Sequence, residues 1–251
     1  MSGHSKWSTI KRKKGAADAK RGKLFTKVSK EIQVSARLGG GDPDGNPRLR
    51  LAIQAARAVS MPSDNINRAI KKGTGELGGD NIDELVYEAY GPGGVAFIME
   101  VATDNQTRTI AEVRNLFDKA GGNLAKSGAV TFLFERRGMI RYEEGVYPEE
   151  RVMEVALEAG ADDVVVEDGQ IVVYTPPNDL PIVKEAMDAK GLDASEAAVA
   201  MIPCTTVECD EETAKKTIKL LDRLEEHDDI QNVWANFEIP DAIMERLEAE
   251  S

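Results

Sequence analysis

Apolar residues recur every three or four positions through the first third of the chain, a spacing that predicts amphipathic helices. Breaker-rich residues 39–47 separate a first helix from a second, which runs from about Pro47 to Val59. The sequence Met61-Pro62-Ser63-Asp64 then opens a short third helix. Together the three stretches predict a small helical module. The apolar arc of its first helix consists of Leu24, Phe25, Val28, Ile32 and Ala36.

The pattern changes after residues 73–81, a glycine-rich stretch that we interpret as a flexible hinge. Two β-rich runs, Leu85 to Tyr90 and Val95 to Val101, flank Gly91-Pro92-Gly93-Gly94, which predicts a tight hairpin loop and only secondarily a cradle for phosphate. The next predicted elements are a helix from Thr107 to Lys119 and a strand from Ala129 to Phe134.

From Gly138 to Met201 the predicted order is strand, helix, strand, strand, helix, strand, which is the ferredoxin-like signature. A further half unit follows, with strands at Thr205 to Glu208 and Val233 to Glu238 around one helix. Its missing half is the β-α-β run from Val95 to Phe134. Because half a unit cannot bury both its helix and its sheet, we expect a second ferredoxin-like sheet that the first interrupts. Two separate small domains are the alternative.

The predicted fold class is therefore α+β, with an N-terminal three-helix domain followed by two ferredoxin-like α+β domains, one inserted in the other. The predicted domains are residues 1–78, a split domain of residues 79–137 and 203–251, and an inserted domain of residues 138–202.

Charge is distributed very unevenly along the chain, whose net charge is −12. Residues 1–72 hold 17 basic and 5 acidic side chains, whereas the remainder holds 15 basic and 39 acidic ones. The predicted inserted domain alone has 15 acids against 4 bases. A cationic module of this kind attracts polyanions, so nucleic acid is the expected partner. A disordered basic tail is the alternative interpretation.

Two features of the basic segment favour nucleic acid. Five cations of the first helix, from Lys20 to Arg37, share one arc, although Val34 lies on the same side and weakens the segregation. Trp7 lies among cations, where it can stack on an unpaired base or dock on the helical module. The residues expected to contact nucleic acid are Lys6, Trp7, Lys11, Arg12, Lys13, Lys14, Lys20, Arg21, Lys23, Lys27, Lys30, Arg48, Arg50, Lys71 and Lys72.

Several functional classes lack their sequence signals. No apolar run is long enough for a membrane span, and the N-terminus has no secretory core, although its basic composition is compatible with a mitochondrial transit peptide. Two cysteines, Cys204 and Cys209, provide no disulfide framework or zinc site, and His4 and His227 have no metal ligand at helical spacing. Residues 125–127 do not complete a phosphate-binding loop. We therefore expect a cytoplasmic protein without a cofactor, and we favour a monomer.

Six segments carry a resemblance to a known family: Gly3 to Trp7, Asp18 to Lys27, Asn46 to Ile53, Arg68 to Gly75, Tyr90 to Gly94 and Gly121 to Leu124. They resemble the YebC family, and the resemblance covers essentially the whole chain. It implies an α-helical N-terminal domain and two α+β domains. The family is described as DNA-binding transcriptional regulators. A mitochondrial relative activates translation of cytochrome c oxidase, and bacterial relatives have been tied to ribosomes that slow on proline-rich sequences.

We therefore expect a non-enzymatic nucleic-acid-binding regulator of gene expression, acting on DNA in transcription or, alternatively, on ribosomal RNA in translation. The family description favours DNA, whereas the flexible cationic arm and the absence of a readable recognition helix favour RNA. A metal-dependent nuclease using Asp162, Asp163 and Asp168 is a weaker alternative, because solvated loops also collect carboxylates. An effector-sensing role for the two ferredoxin-like units is compatible with nucleic-acid binding. The resemblance supplies no catalytic residue.

Overall fold

The structure, a computed structural model, describes residues 17–78, 81–167 and 169–249. Contacts divide the chain into two compact units: an inserted unit, residues 132–205, and a larger unit formed by the chain before and after it. The predicted boundary at residues 137 and 138 falls within one continuous strand that starts at Phe134, so the inserted unit begins earlier than expected. The predicted division of the larger unit at residue 78 stays a prediction.

The described part of the larger unit begins with three helices, as the apolar spacing predicts. They are α1 (Ala17–Gly39), α2 (Pro47–Ala58) and α3 (Ser63–Gly73). Asn46 caps α2 by accepting a hydrogen bond from the Leu49 N–H, and its side-chain amide donates to the carbonyls of Ser35 and Gly40. One buried residue thereby fixes the start of α2 against the end of α1. The three helices enclose a small core that includes Ile32, Leu49, Ile53 and Ile66.

The remaining elements follow in chain order. The larger unit continues with β1 (Asp83–Tyr90), β2 (Ala96–Thr103), α4 (Gln106–Ala120) and β3 (Asn123–Leu124). The inserted unit contains β4 (Phe134–Tyr142), α5 (Glu149–Glu158), β5 (Asp163–Glu167), β6 (Gln170–Thr175), α6 (Leu180–Ala189) and β7 (Glu196–Pro203). The larger unit resumes with β8 (Val207–Glu208), α7 (Glu211–Glu225), β9 (Ile230–Ala235), β10 (Phe237–Glu238) and α8 (Asp241–Ala249).

The inserted unit has the predicted ferredoxin-like topology. Its sheet order is β5-β6-β4-β7, with every neighbouring pair antiparallel. Ile140 and Tyr142 from β4 pack with Val173 from β6 and with Val152 and Val183 from the two helices. The α+β class is therefore confirmed.

The sheet of the larger unit differs from the predicted one. Its order is β3-β1-β2-β9, so β1 lies between β2 and β3 and pairs antiparallel with both. This is the ferredoxin-like strand order, except that β1, which precedes the other strands of this sheet in the chain, takes the position of the third strand. Residues 129–134 do not form the expected strand, because a short 3₁₀ turn covers Thr131–Leu133 and β4 joins the other sheet. The predicted strand at Thr205 to Glu208 reduces to β8, which pairs in parallel with β10.

The Gly91–Gly94 loop closes the β1–β2 hairpin, as predicted. The Gly91 N–H donates to the Val95 carbonyl at 2.8 Å, and the Gly94 N–H donates to the Gly91 carbonyl at 3.2 Å. Gly93 has a φ of 68°, and a Cβ there would lie 2.7 Å from the Thr213 methyl group at the start of α7. These contacts make the loop a structural turn packed on a helix.

Candidate nucleic-acid interface

The structure describes only part of the predicted contact set. Lys6, Trp7, Lys11, Arg12, Lys13 and Lys14 lie outside the described residues, so their predicted roles stay predictions. Lys20 and Arg21 lie on α1, and their side chains are outside the described part of the structure.

The lysines of α1 do not form the free cationic face that their spacing suggests. Lys27 Nζ donates to the Glu225 carbonyl at 2.7 Å, at the last turn of α7, where exposed carbonyls and the helix dipole attract cations. Lys30 Nζ lies 2.5 Å from Asp229 Oδ1 and also donates to the Ala102 and Asp228 carbonyls. Both side chains therefore hold α1 against the turn between α7 and β9. The expected contact of Lys27 and Lys30 with nucleic acid stays a prediction, but both ammonium groups are already engaged within the chain.

Lys23 is held less firmly than the two lysines that follow it. Its Nζ lies 3.9 Å from Glu226 Oε2, with about half of each side chain exposed. An exposed pair at this distance contributes little and is screened by salt, so Lys23 can turn to a phosphate.

Asp229 is the centre of this docking contact. Its side chain is 5% exposed, and its Oδ2 accepts hydrogen bonds from Thr109 at 2.7 Å and from Arg108 at 2.8 Å, while Oδ1 faces Lys30. Burial alone would raise the pKa of the Asp229 carboxyl, but the bonds from Lys30, Thr109 and Arg108 outweigh it and hold the pKa well below its ordinary value. The carboxylate therefore joins α1, α4 and the α7–β9 turn.

Val34 was the sequence signal for this contact. It lies one and two turns beyond Lys30 and Lys27 on the same side of α1, and it is 1% exposed, although the core of the three helices lies on the Ile32 side. An apolar residue on a cationic face indicates that this face is covered. Val34, the one apolar residue in the cationic arc, therefore marked a side of α1 that is buried, although the spacing of the lysines suggested that this side was free.

Arg48 and Arg50 also make contacts within the larger unit. Arg48 Nε lies 2.7 Å from Glu31 Oε1, and one of its terminal nitrogens lies 2.6 Å from Glu84 Oε1, so a single guanidinium joins α1, α2 and β1. Arg50 donates to the Pro43 carbonyl at 3.4 Å. Arg48 therefore serves the packing of the helices, whatever else it contacts.

The cations of α3 are placed differently. Arg68, Lys71 and Lys72 are exposed, and within the described residues none of them forms an ion pair or a side-chain hydrogen bond. Lysines in the last turn also favour the helix itself, because they oppose the negative end of its dipole. Arg37 on α1 and Arg57 on α2 are exposed too. The predicted contact set includes Lys71 and Lys72 but leaves out Arg57 and Arg68, which form no run of cations, and Arg37, although Arg37 belongs to the cationic arc of the first helix.

Two groups of acidic side chains are relevant to the predicted alternative of metal-dependent chemistry. Glu112, His227 and Asp229 lie within reach of a common cation, but His227 Nδ1 accepts from the Asp229 N–H and both Asp229 oxygens already face cations. Asp162 and Asp163 are exposed at the start of β5, and Asp168 lies outside the described residues.

The two cysteines differ in reactivity. Cys204 is exposed, whereas burial raises the pKa of the Cys209 thiol to about 11. Cys209 therefore behaves as a packing residue.

No helix in the described ranges has both the length and the apolar content needed to cross a bilayer.

Comparison with known proteins places the whole chain in one family. Residues 5–76 match the TACO1/YebC protein N-terminal domain, and residues 82–237 match the TACO1/YebC second and third domain. A "Probable transcriptional regulatory protein" of Treponema denticola is 59% identical over 96% of this chain and 98% of its own length. One of Syntrophus aciditrophicus with the same description is 54% identical over 99% and 100%.

A solved structure agrees with these matches. The "Conserved Hypothetical Protein Aq1575" of Aquifex aeolicus has a TM-score of 0.84 at 50% identity and covers 90% of this chain and 93% of its own. The chain therefore belongs to the TACO1/YebC family.

Proposed function

We propose that the protein is a non-enzymatic regulator of gene expression that binds nucleic acid through the helices of the larger unit. Transcriptional regulation on DNA is the first candidate, because similar proteins are described as transcriptional regulatory proteins. The observation that supports binding is the set of exposed cations on α3, Arg68, Lys71 and Lys72, which have no ion-pair partner among the described residues. Cations without intramolecular partners are available to phosphates.

The proposal assigns different roles to the cations of the predicted set. Lys27 and Lys30 hold α1 in place, so they contribute to folding. Lys71, Lys72 and the basic run from Lys11 to Lys14 contact phosphate. The inserted unit, with its excess of acidic residues, is disfavoured beside a phosphate backbone and leaves the helices as the contact surface.

Ribosomal RNA is the second candidate, and one observation favours it over duplex DNA. Arg68 and Lys72 of α3 line one side of a groove of about 440 Å³, which has room for a single nucleotide but not for a duplex. Single-stranded loops in folded RNA present unpaired nucleotides of this kind.

Salt titrations of binding to duplex DNA, to ribosomes and to an unrelated RNA separate these targets. The specific target should retain affinity at salt concentrations that remove the other two. Charge reversal in Lys71→Glu should lower the slope of log K against log salt by about 0.7–0.9. Replacing Lys11 to Lys14 with alanine should lower it further.

Two matched controls make the test specific. Lys119→Glu changes the net charge equally at an exposed position on α4, and it should leave the salt slope unchanged. Lys27→Met should lower the stability of the protein but leave its affinity for nucleic acid intact. If the α3 and Lys11–Lys14 variants bind all three targets like the wild type, the protein does not bind nucleic acid through this surface.

A further inference from the structure

The groove between α1 and α3 combines three kinds of side chain that recognise nucleotides. Its α1 wall includes Phe25 and Ser29, and its α3 wall includes Asn65, Arg68 and Lys72. The volume of about 440 Å³ lies within the range of about 300–1,000 Å³ that is usual for small ligands. All lining residues belong to the larger unit, so the groove is formed within one compact body.

The charge of the groove favours an anion. Arg68 and Lys72 lie one helical turn apart on the same face of α3, and both are without ion-pair partners in the described residues. The other charged lining residues are already paired: Lys30 with Asp229, and Asp104 with Arg108 at 2.9 Å. The uncompensated charge is therefore the two cations of α3, which suits one phosphate group.

The opposite wall supplies a surface for a base. Phe25 is half-buried, so its ring is held by the helical core while part of it remains accessible. Asn65 lies one turn before Arg68 on the same face of α3, where its amide can donate to and accept from a base edge. An aromatic ring, an amide and two cations within one groove correspond to the base and the phosphate of a nucleotide.

The close approach of α1 and α3 fixes the width of the groove. A Cβ on Gly73 would lie 2.3 Å from the Gln33 carbonyl oxygen, so the two helices meet without an intervening side chain at that point. Gln33 itself lines the groove. Because backbone meets backbone there, the walls cannot separate at Gly73 without breaking the packing of the helices.

We propose that this groove binds one unpaired nucleotide, with its phosphate between Arg68 and Lys72 and its base against Phe25. The inference rests on the proposed nucleic-acid binding and specifies its form, a single strand from which one base is inserted between the helices. A free nucleotide has the same chemistry, so the test must distinguish the two sources.

The experiment measures fluorescence anisotropy of the full-length protein with three labelled probes: a single-stranded oligonucleotide, the same strand with abasic sites, and the duplex. Unlabelled nucleoside monophosphate is added as a competitor. Lys72→Glu and Phe25→Leu are compared with Lys71→Glu, which changes a neighbouring exposed lysine that does not line the groove. Thermal melting confirms that each variant is folded, and Phe25→Leu keeps enough apolar bulk for the core.

If the groove is the site, removing the bases should weaken binding about tenfold, as loss of one stacked base does. Phe25→Leu should abolish that difference, and Lys72→Glu should lose about tenfold more affinity than Lys71→Glu. Competition by the monophosphate would identify a free nucleotide as a second source. If the monophosphate does not compete and abasic strands still bind more weakly than normal ones, the site accepts only nucleotides that are part of a strand.

One result would overturn the inference, and another would overturn the proposed function on which it rests. If Lys71→Glu and Lys72→Glu lose equal affinity and abasic strands bind as well as normal ones, the groove is not a nucleotide site, while binding through surface cations stands. If the monophosphate binds and no strand or duplex does, the groove holds a free nucleotide, and the proposed nucleic-acid function fails instead.

Discussion

Asp229→Asn tests whether one buried carboxylate holds α1 against the rest of the larger unit. The substitution keeps the size of the side chain but removes the charge that faces Lys30 at 2.5 Å and accepts from Thr109 at 2.7 Å. Lys30, whose side chain is only 16% exposed, would then face neutral groups. The helix α1 would lose its main polar attachment to the α7–β9 turn.

The expected magnitude follows from burial. Removing one partner of a buried ion pair typically costs about 3–5 kcal/mol, because the other charge stays desolvated. Arg108 loses the same partner, but 45% of its side chain is exposed, so water solvates its charge and the additional loss of stability is small. Because Lys30 keeps the Ala102 and Asp228 carbonyls as acceptors, we expect the lower end, about 3 kcal/mol of the free energy of unfolding.

Urea denaturation monitored by circular dichroism measures this loss, and hydrogen exchange locates it. Amides of α1 should exchange faster in Asp229→Asn, whereas those of the inserted unit should not change. Asp228→Asn is the matched control, since Asp228 is exposed and contributes only its backbone carbonyl to Lys30. A loss below about 0.5 kcal/mol for Asp229→Asn, the range of ordinary surface substitutions, would refute the reasoning.

The same carboxylate makes stability depend on pH. Folding lowers the pKa of Asp229, so its contribution is complete above the pKa of unfolded aspartate, about 3.9, and is lost as the pH falls toward the lower folded value. The wild type should therefore lose more stability on acidification than Asp229→Asn. The difference between their free energies of unfolding should narrow below about pH 4.

Three further predictions concern other parts of the chain. Glu88→Gln should lower the free energy of unfolding by about 2–3 kcal/mol, because the buried carboxylate accepts three backbone N–H bonds from the loop before β4, and urea denaturation measures the loss. Gly73→Ala should cost about 1–3 kcal/mol, since its methyl group would meet the Gln33 carbonyl; unchanged stability would show that the helices can separate. A thiol reagent should label Cys204 in the native protein and Cys209 only after unfolding; equal labelling rates would contradict the burial of Cys209.

Local signals in the sequence were sufficient for most of the fold. Asn46 and Pro47 mark the start of α2, and Gly121, with a φ of 83°, ends α4, so these elements were predicted within one or two residues. The ferredoxin-like inserted unit was predictable because all of its strands and helices are consecutive in the chain.

Non-local pairing explains what was missed. The two residues of β3 are too few to show a strand period, and the pairing of β1 with β3 cannot be inferred from either segment alone. Lys30 and Asp229 are separated by 199 positions, so nothing in the sequence indicated that they pair. Lys30 was therefore predicted to contact phosphate, whereas its partner in the structure is a carboxylate of the same chain. The sequence placed Lys71 and Lys72 in the same predicted set as Lys27 and Lys30, and only the structure separates the engaged lysines of α1 from the α3 cations, which have no ion pair among the described residues.

The two ends of the inserted unit lie side by side, where the chain enters and leaves it. β4 and β7 pair along their lengths, from Phe134 opposite Pro203 to Arg141 opposite Glu196, and the Cys204 N–H donates to the Leu133 carbonyl at 2.8 Å. Paired antiparallel residues are about 4.5–5.5 Å apart, a gap that a two-residue turn closes. The surrounding chain therefore enters and leaves residues 132–205 at nearly the same point, so a two-residue turn in their place would span the same gap.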